Sequence, residues 1–212
     1  KSQGGETETS HTVPEFLLRV GLTEKIEFRI RYNEVWQFGE MEDRHGSEDL
    51  RWAFKIRTTD QCCWIPESAL ELRFTAPTGA SEWSTQDVEF GLDYIYGWRL
   101  SERIELYGST GFSTDALGDF AFLPDDPAGE EFMLYTQSVA VGLELTEQST
   151  AYFEIFGLFT DGFEDDDQAP IFLNVGGDYY LTDNLVVDFR VGNGLNKDAD
   201  DFFCGVGGGM RF

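Results

Sequence analysis

Long segments in which apolar and polar residues alternate run through this sequence. In residues 26–33 (IEFRIRYN) and 50–57 (LRWAFKIR), the even positions are apolar and most odd positions are charged or polar. Neighbouring side chains of a β-strand point to opposite faces of the sheet, so each such segment predicts a strand with one apolar and one polar face. No apolar run approaches the roughly 18–20 residues of a transmembrane helix, and helix signals are weak throughout. The sequence therefore predicts an all-β chain.

Eleven segments of this kind follow one another, and no linker or change of composition separates them. Short turns place Leu, then Thr or Ser, then Glu or Asp between two segments, as in GLTEKIEF (21–28). Hydroxyl and carboxylate side chains bond their own backbone in tight turns, so these motifs predict hairpins. The intervening connections are long and mostly acidic: 37–48, 77–86, 114–131, 161–168 and 195–201. The predicted strands are 13–22, 26–36, 49–58, 68–76, 86–98, 103–113, 132–145, 150–160, 169–181, 184–194 and 202–212.

Two architectures fit such strands: a soluble sandwich or barrel with its apolar face inside, and a membrane β-barrel with its apolar face towards lipid. The predicted strands are 9–14 residues long, close to the ~9–11 that a tilted strand needs to cross a bilayer. Strands of soluble proteins average about 5–6 residues. We therefore predict an antiparallel up-and-down transmembrane β-barrel over residues 13–212, in contact with outer-membrane lipid. A soluble secreted barrel is the weaker alternative.

The sequence ends inside a predicted strand, FCGVGGGMRF (203–212), with an aromatic residue last. A terminal Phe212 with apolar residues alternating behind it resembles the signal that bacterial barrel-assembly machinery reads on outer-membrane proteins. That machinery is therefore an expected partner, and an ordinary core strand that happens to come last is the alternative. We expect the inward-facing glycines of this strand to leave room for bulky side chains from the opposite wall.

The order of the motifs is more specific than the fold class. PEFLLRVGLTEKIEFRI (14–30), WIPESALELRFTAPTG (64–79) and GGDYYLTDNLVVDFRVGNGLN (176–196) precede the GVGGGMRF end. In this order the chain resembles the transporter-type outer-membrane family of the meta-pathway of phenol degradation, from residue 14 to 212. The resemblance implies a barrel in the bacterial outer membrane of a Gram-negative cell. Its motifs mark turns and strands, and none is catalytic, so it does not imply a particular solute.

The number of strands is odd. Bacterial barrels of this kind have an even strand number with both termini in the periplasm. With the C-terminus on the short-turn side, eleven strands put the N-terminus on the long-loop side. We therefore expect twelve strands in the intact protein, with the first one missing from this sequence and residues 1–12 a remnant of an external loop. The strands at 13–22 and 202–212 would flank a gap or pair directly.

The polar faces predict an uneven interior. The early strands supply mainly basic residues and the later strands mainly acidic ones, so a transverse field that orients polar solutes is expected across the bore. The alternative is that these side chains pair across the bore and close it, since barrels of ~8 strands are filled and those of 16–18 are open. The candidate residues of a transport path are Arg19, Arg29, Arg31, Arg51, Lys55, Arg57, Arg73, Glu89, Asp93, Glu105, Glu154, Asp188 and Arg190.

The expected function is a channel or transporter for passive passage of small solutes, including hydrophobic or aromatic compounds. A structural or surface-interaction barrel with an occluded lumen is the alternative. A net charge of −25 argues against nucleic acid as a partner, and acidic loops such as 161–168 favour cations or neutral solutes at the mouth. The two histidines, His11 and His45, lie in flexible segments and predict no catalysis.

No cofactor or metal is expected. The cysteines lack the paired spacing of a zinc site. Three free thiols are favoured over a disulfide from Cys204 to Cys62 or Cys63.

Overall fold

The computed structural model describes residues 2–3, 6–7, 9–39, 43–114, 132–162 and 168–212, which form β-strands and connections. A small hairpin of β1 (Ser2–Gln3) and β2 (Glu6–Thr7) stands apart from the main sheet. The main sheet contains β3 (Thr9–Gly21), β4 (Ile26–Phe38), β5 (Arg44–Ser47), β6 (Leu50–Thr59), β7 (Glu67–Ala76), β8 (Phe90–Arg99), β9 (Ile104–Thr114), β10 (Met133–Thr146), β11 (Ser149–Asp161), β12 (Ile171–Thr182), β13 (Leu185–Gly194) and β14 (Phe203–Met210). Among the described residues, no helix is long and apolar enough to cross a membrane.

The long strands pair in chain order, each antiparallel to the next, from β3 to β14. This order confirms the predicted all-β, up-and-down arrangement of eleven long strands. The sheet has a twelfth member, β5, which pairs with the end of β4 inside the predicted loop 37–48. Two predicted boundaries are wrong by four residues: β3 starts at Thr9, and β8 starts at Phe90 because residues 86–89 belong to the preceding connection.

The short turns have the predicted chemistry. The Thr23 hydroxyl accepts hydrogen bonds from the backbone N–H groups of Lys25 (3.2 Å) and Ile26 (3.0 Å). Ser101 does the same for Arg103 (3.2 Å) and Ile104 (3.1 Å). Each hydroxyl replaces a missing backbone partner and closes the turn within a few residues. These turns lie at one end of the sheet, which we call the short-turn end; the opposite end is the long-loop end.

The outward face is apolar around the whole sheet. Large hydrophobic side chains on it remain exposed, among them Tyr94 on β8, Val141 on β10, Phe153 on β11 and Phe189 on β13, each with more than a third of its surface accessible. Monomeric soluble proteins rarely expose a continuous apolar surface of this extent. An outward apolar band is instead the surface that a transmembrane barrel presents to lipid.

The outward face also carries a polar side chain, Gln137 on β10, whose amide finds hydrogen-bond partners on neighbouring residues. Gln137 on β10 receives a bond from the Thr110 hydroxyl (2.6 Å). Its amide nitrogen lies within hydrogen-bond distance of the Tyr96 hydroxyl (3.0 Å) and the Ser109 carbonyl (2.9 Å). An unsatisfied amide in hydrocarbon is strongly unfavourable, so these neighbours make Gln137 compatible with lipid.

The sheet curls until distant strands share one interior. Val35 on β4 packs in the same buried cluster as Leu134 on β10. The end strand β3 also approaches the other end of the sheet, because Glu15 on β3 lies 3.8 Å from the Arg190 guanidinium on β13. Within the described residues, no backbone ladder joins β3 to β14.

Candidate functional site

The interior of the curled sheet divides into three zones. At the short-turn end is an open cavity, which we call the vestibule. Next comes a belt of paired charges, the charged belt, made of Glu27, Arg29, Glu71, Arg73 and Asp93. At the long-loop end, beside buried polar residues, apolar side chains pack around Trp83 in a cluster that we call the apolar collar.

The ion pairs of the charged belt are close and mostly buried. Arg29 lies 2.6 Å from a carboxylate oxygen of Glu27 and 2.6 Å from one of Glu71. Arg73 lies 2.5 Å from a carboxylate oxygen of Asp93, and the two side chains are only 14% and 13% exposed. Charges removed from water in this way are stable only when paired. The pairs therefore hold β4, β7 and β8 together on the interior side.

The register explains why acids and bases alternate. Glu27, Lys55, Glu71 and Asp93 lie side by side across four neighbouring strands. The adjacent row contains Arg29, Ala53, Arg73 and Gly91. Small residues at two positions of the second row leave room for the guanidinium groups to lean over the first row.

This pairing differs from the predicted contrast between a basic and an acidic wall. Asp93 on β8 neutralises Arg73 on the adjacent strand β7. In the part of the chain that is described, Arg29 pairs with Glu27 on its own strand, and the other two ion pairs of the belt join neighbouring or next-neighbouring strands. The positive field of this wall is therefore largely compensated locally, since opposite charges lie within a few ångströms of each other.

The other candidate residues also face the interior. Arg31 pairs with Glu15, and Arg19 pairs with Glu27 at 3.0 Å. Towards the short-turn end, Arg57 lies 2.7 Å from Asp60 and Arg99 lies 3.0 Å from Glu105.

Towards the long-loop end, Arg51 and Glu89 are buried, at 7% and 1% exposure, and Thr75 donates to Glu89 at 3.3 Å. On the later strands, Glu154 accepts a bond from Asn174 at 2.8 Å.

The inward glycines of β14 make room for neighbours rather than for the opposite wall. A Cβ on Gly207 would lie 2.8 Å from both carboxylate oxygens of Asp188, and one on Gly205 would lie 3.2 Å from Nε of Arg190. Asp188 and Arg190 belong to β13, the adjacent strand. The expectation of bulky residues from the opposite wall is therefore wrong. The glycines let two charged side chains lie flat along the interior surface.

The apolar collar is a buried cluster at the long-loop end of the interior. Trp83, in the connection between β7 and β8, packs in one buried cluster with Val35, Phe132 and Leu134, and Ala80 and Leu158 cover its margin. Its indole is 8% exposed. Gly46 on β5 lies directly beneath, since a Cβ there would be 2.5 Å from the indole ring. The connection thus folds into the bore, where the sequence predicted a polar external loop.

A second group of aromatic residues lies in the same half of the interior. Phe156 and Phe172 stack with ring centroids 4.9 Å apart, and Phe203 packs edge-on against both, at 6.2 and 5.9 Å. These three and Leu134, Leu158 and Val35 occupy the inward positions of their strands. The available sequence signal was the failure of alternation near the long loops, as in FEIFGLF (153–159).

The buried carboxylate of Asp49 holds the inward-folded connection in place. One of its oxygens accepts the backbone N–H groups of Thr78 and Gly79, each at 2.8 Å. The other accepts the Ser84 hydroxyl at 2.9 Å. Asp49 is 3% exposed, so these charge-assisted bonds replace its hydration. Three contacts from one side chain therefore fix both ends of the segment that carries Trp83.

The vestibule has a volume of about 950 Å³ and lies beside the β3–β4 and β6–β7 turns. Its lining combines charged residues with apolar ones, including Lys55, Arg57, Ala69, Ile95, Arg99 and Tyr107. Pockets of about 300–1,000 Å³ are typical of sites for small molecules. The vestibule is therefore large enough to admit a small solute from the short-turn end.

The described residues contain no group of three or more His, Cys, Asp or Glu side chains arranged to hold a metal ion. Cys62, Cys63 and Cys204 are free thiols, so the disulfide alternative is not realised. Residues 163–167 of the predicted acidic loop 161–168 lie outside the described residues. The His45 ring lies 2.8 Å from a carboxylate oxygen of Glu34 and packs against the Trp36 ring at a tilt of 34°, with ring centroids 3.8 Å apart.

Breaking a belt pair is expected to destabilise the protein. Asp93→Ala leaves Arg73 without its carboxylate partner, and we expect the free energy of unfolding to fall by about 3 kcal/mol. Asp60→Ala is the matched control: its carboxylate is 80% exposed next to Arg57, so a loss below about 1 kcal/mol is expected. Urea unfolding in lipid vesicles measures both. Equal losses for the two variants would contradict a structural role for the belt.

Comparison with known proteins identifies relatives at the level of family and fold. The family model described as "Putative MetA-pathway of phenol degradation" matches residues 7–212. A crystal structure of the NanC porin superposes with a TM-score of 0.60, at 6% sequence identity, covering 98% of this chain and 99% of the porin chain. No curated protein matches the sequence. At that identity, the likeness to the porin establishes the fold alone.

Proposed function

Because this chain belongs to the family of the MetA-pathway of phenol degradation and folds like a porin, we propose that it is an outer-membrane channel for the passive passage of small solutes. The observation that carries the proposal is the combination of an apolar outward face with an interior cavity of about 950 Å³. An apolar outward face is not expected of a soluble barrel. An interior cavity is not expected of a barrel that side chains fill from end to end. Fold and family point to transport rather than to an enzyme.

The interior suggests the kind of solute. A solute entering the vestibule meets charged groups first and then the apolar collar around Trp83 and Phe172. A small molecule with an apolar body and few polar groups suits both zones, whereas a fully hydrated ion passes the collar less readily. We therefore propose small hydrophobic or aromatic compounds as the cargo, moving down their gradient without a cofactor. The thirteen candidate residues named from the sequence remain the proposed lining of the path.

The proposed partners follow from the surface. The outward apolar band would contact outer-membrane lipid. Phe212 is fully exposed at the end of the last strand, where it would be available to the barrel-assembly machinery during insertion. Both are proposals that the apolar surface supports.

Single-channel recording tests the proposal. We expect the purified protein in a planar bilayer at varied KCl to give discrete conductance steps that are small, because the apolar collar narrows the bore. A bilayer treated with the same detergent without protein is the control. Silence from the unaltered protein and from Trp83→Ala alike, both shown to be folded by circular dichroism, would overturn the channel proposal.

The packed collar is the one observation that favours the alternative function, a structural or surface-interaction barrel with an occluded lumen. In that case, removing the Trp83 indole would leave the protein equally silent, since no path would lie behind it. The Trp83 variants described below therefore separate a gated channel from a filled barrel.

A further inference from the structure

The cations of the vestibule differ in whether they are paired. Arg19, Arg57 and Arg99 each form an ion pair with a carboxylate. Within the part of the chain that the structure describes, two lysines lining the vestibule make no ion pair: Lys55 and Lys25. Lys25 lies in the exposed β3–β4 turn, while Lys55 is half-buried on the interior side of β6. Lys55 is therefore a positive charge held inside the cavity.

The carboxylates beside Lys55 are already engaged. Glu27 and Glu71 are its register neighbours. Both lie 2.6 Å from Arg29, and Glu27 is also 3.0 Å from Arg19. Two carboxylates thus face three cations, which leaves one positive charge in this part of the wall. A positive charge that is half removed from water attracts an anion more strongly than a fully solvated one.

The lining beside this charge, on the neighbouring strands β7, β8 and β9, is suited to an apolar body. Ala69 and Ile95 line the vestibule with aliphatic surface, and Tyr107 adds an aromatic ring. Small-molecule sites commonly combine such surface with one or two polar groups that fix orientation. The vestibule opens at the short-turn end, so an anion reaches Lys55 without passing the acidic long connections.

We propose that Lys55 binds the carboxylate of a small monoanionic organic acid whose apolar body lies against Ala69, Ile95 and Tyr107. The proposal rests on the channel function, because it makes Lys55 a binding station on the solute path. It adds a ligand class, a small carboxylate, and a residue that selects it. Carboxylate recognition by a lysine is a charge-assisted hydrogen bond, which is stronger than a neutral one.

Benzoate is the probe, with benzyl alcohol as a neutral molecule of similar shape. Calorimetry on the full chain in detergent should give saturable benzoate binding and weaker benzyl alcohol binding. Lys55→Met should weaken benzoate binding about tenfold, the loss of one charge-assisted bond, and leave benzyl alcohol binding unchanged. Lys55→Arg keeps the charge and should retain benzoate binding. Lys25→Met, the matched control from the same vestibule, should bind as the unaltered chain does.

The same samples are tested for conductance, so that the two proposals can fail separately. If the protein conducts, and the unaltered chain and Lys55→Met bind benzoate equally, the carboxylate site is overturned and the channel proposal stands. Lys55-dependent binding by a protein that never conducts would overturn the channel and retain the anion site. A third outcome would also count against the site. In it, Lys55→Met loses the binding of both benzoate and benzyl alcohol, and Lys55→Arg does not bind benzoate.

Discussion

Trp83→Ala is expected to raise the single-channel conductance several-fold over that of the unaltered protein. The indole is almost fully buried between the β4–β5 wall and Leu134 on the far side of the interior. Its removal leaves a gap in the part of the bore that is otherwise packed. The zones of the bore lie one after another, so the narrowest zone limits the conductance. Widening the collar should therefore have a larger effect on conductance than any change in the vestibule. Planar bilayer recording at fixed KCl measures the change.

Two further variants test whether the effect comes from the position of the segment. Gly46→Val places side-chain atoms where the Trp83 ring lies, and Asp49→Ala removes the acceptor of three hydrogen bonds that fix the segment. Both variants should increase the conductance or make it fluctuate. In Gly46→Val the Trp83 ring is displaced, and in Asp49→Ala the segment that carries Trp83 loses the hydrogen bonds that hold it. Trp64→Ala is the matched control, because that indole is 92% exposed at the short-turn end. An unchanged conductance in all three collar variants would show that the collar does not limit the pore.

The sequence predicts which side chains share a face of each strand. Successive side chains of a strand point to opposite faces, so every second residue lies on the same face. Phe28 and Arg29 lie on opposite faces for that reason alone. The hairpins could be predicted as well, since Thr23 and Ser101 act through bonds to residues two and three positions away. Local chemistry and strict periodicity thus account for the order and orientation of the long strands.

The collar could not be predicted in this way. The connection 77–86 is polar, and the packing of Trp83 depends on Gly46, Val35 and Leu134, which come from three separate strands. The pairing of Arg73 with Asp93 depends similarly on the β7–β8 register, which sets Arg73 opposite Gly91 and leaves Asp93 diagonal to it. β5 was missed because RHGS is short and shows no alternation. Each of these features is fixed by contacts between distant segments.

Opposite changes in the charged belt should shift ion selectivity in opposite directions. Neutralising Arg29 and Arg73 of the belt together with Arg31 next to it, each to Gln, removes three positive charges from the interior and should increase the permeability of K⁺ over Cl⁻. Neutralising Glu27, Glu71 and Asp93 to their amides breaks pairs of the same belt and should decrease that ratio. Fixed charges of one sign along a narrow bore repel ions of that sign, so the two variants isolate charge from structural damage.

The reversal potential across a KCl gradient is the measurement, with Arg103→Gln in the exposed β8–β9 turn as the control for charge outside the bore. The locally paired belt predicts only weak selectivity in the unaltered protein, because Arg29 and Arg73 are each balanced by carboxylates within 3 Å. Each triple variant removes that balance, so its shift should exceed the selectivity of the unaltered channel. Shifts in the same direction for both variants, or none while conductance persists, would mean that permeating ions do not pass these side chains.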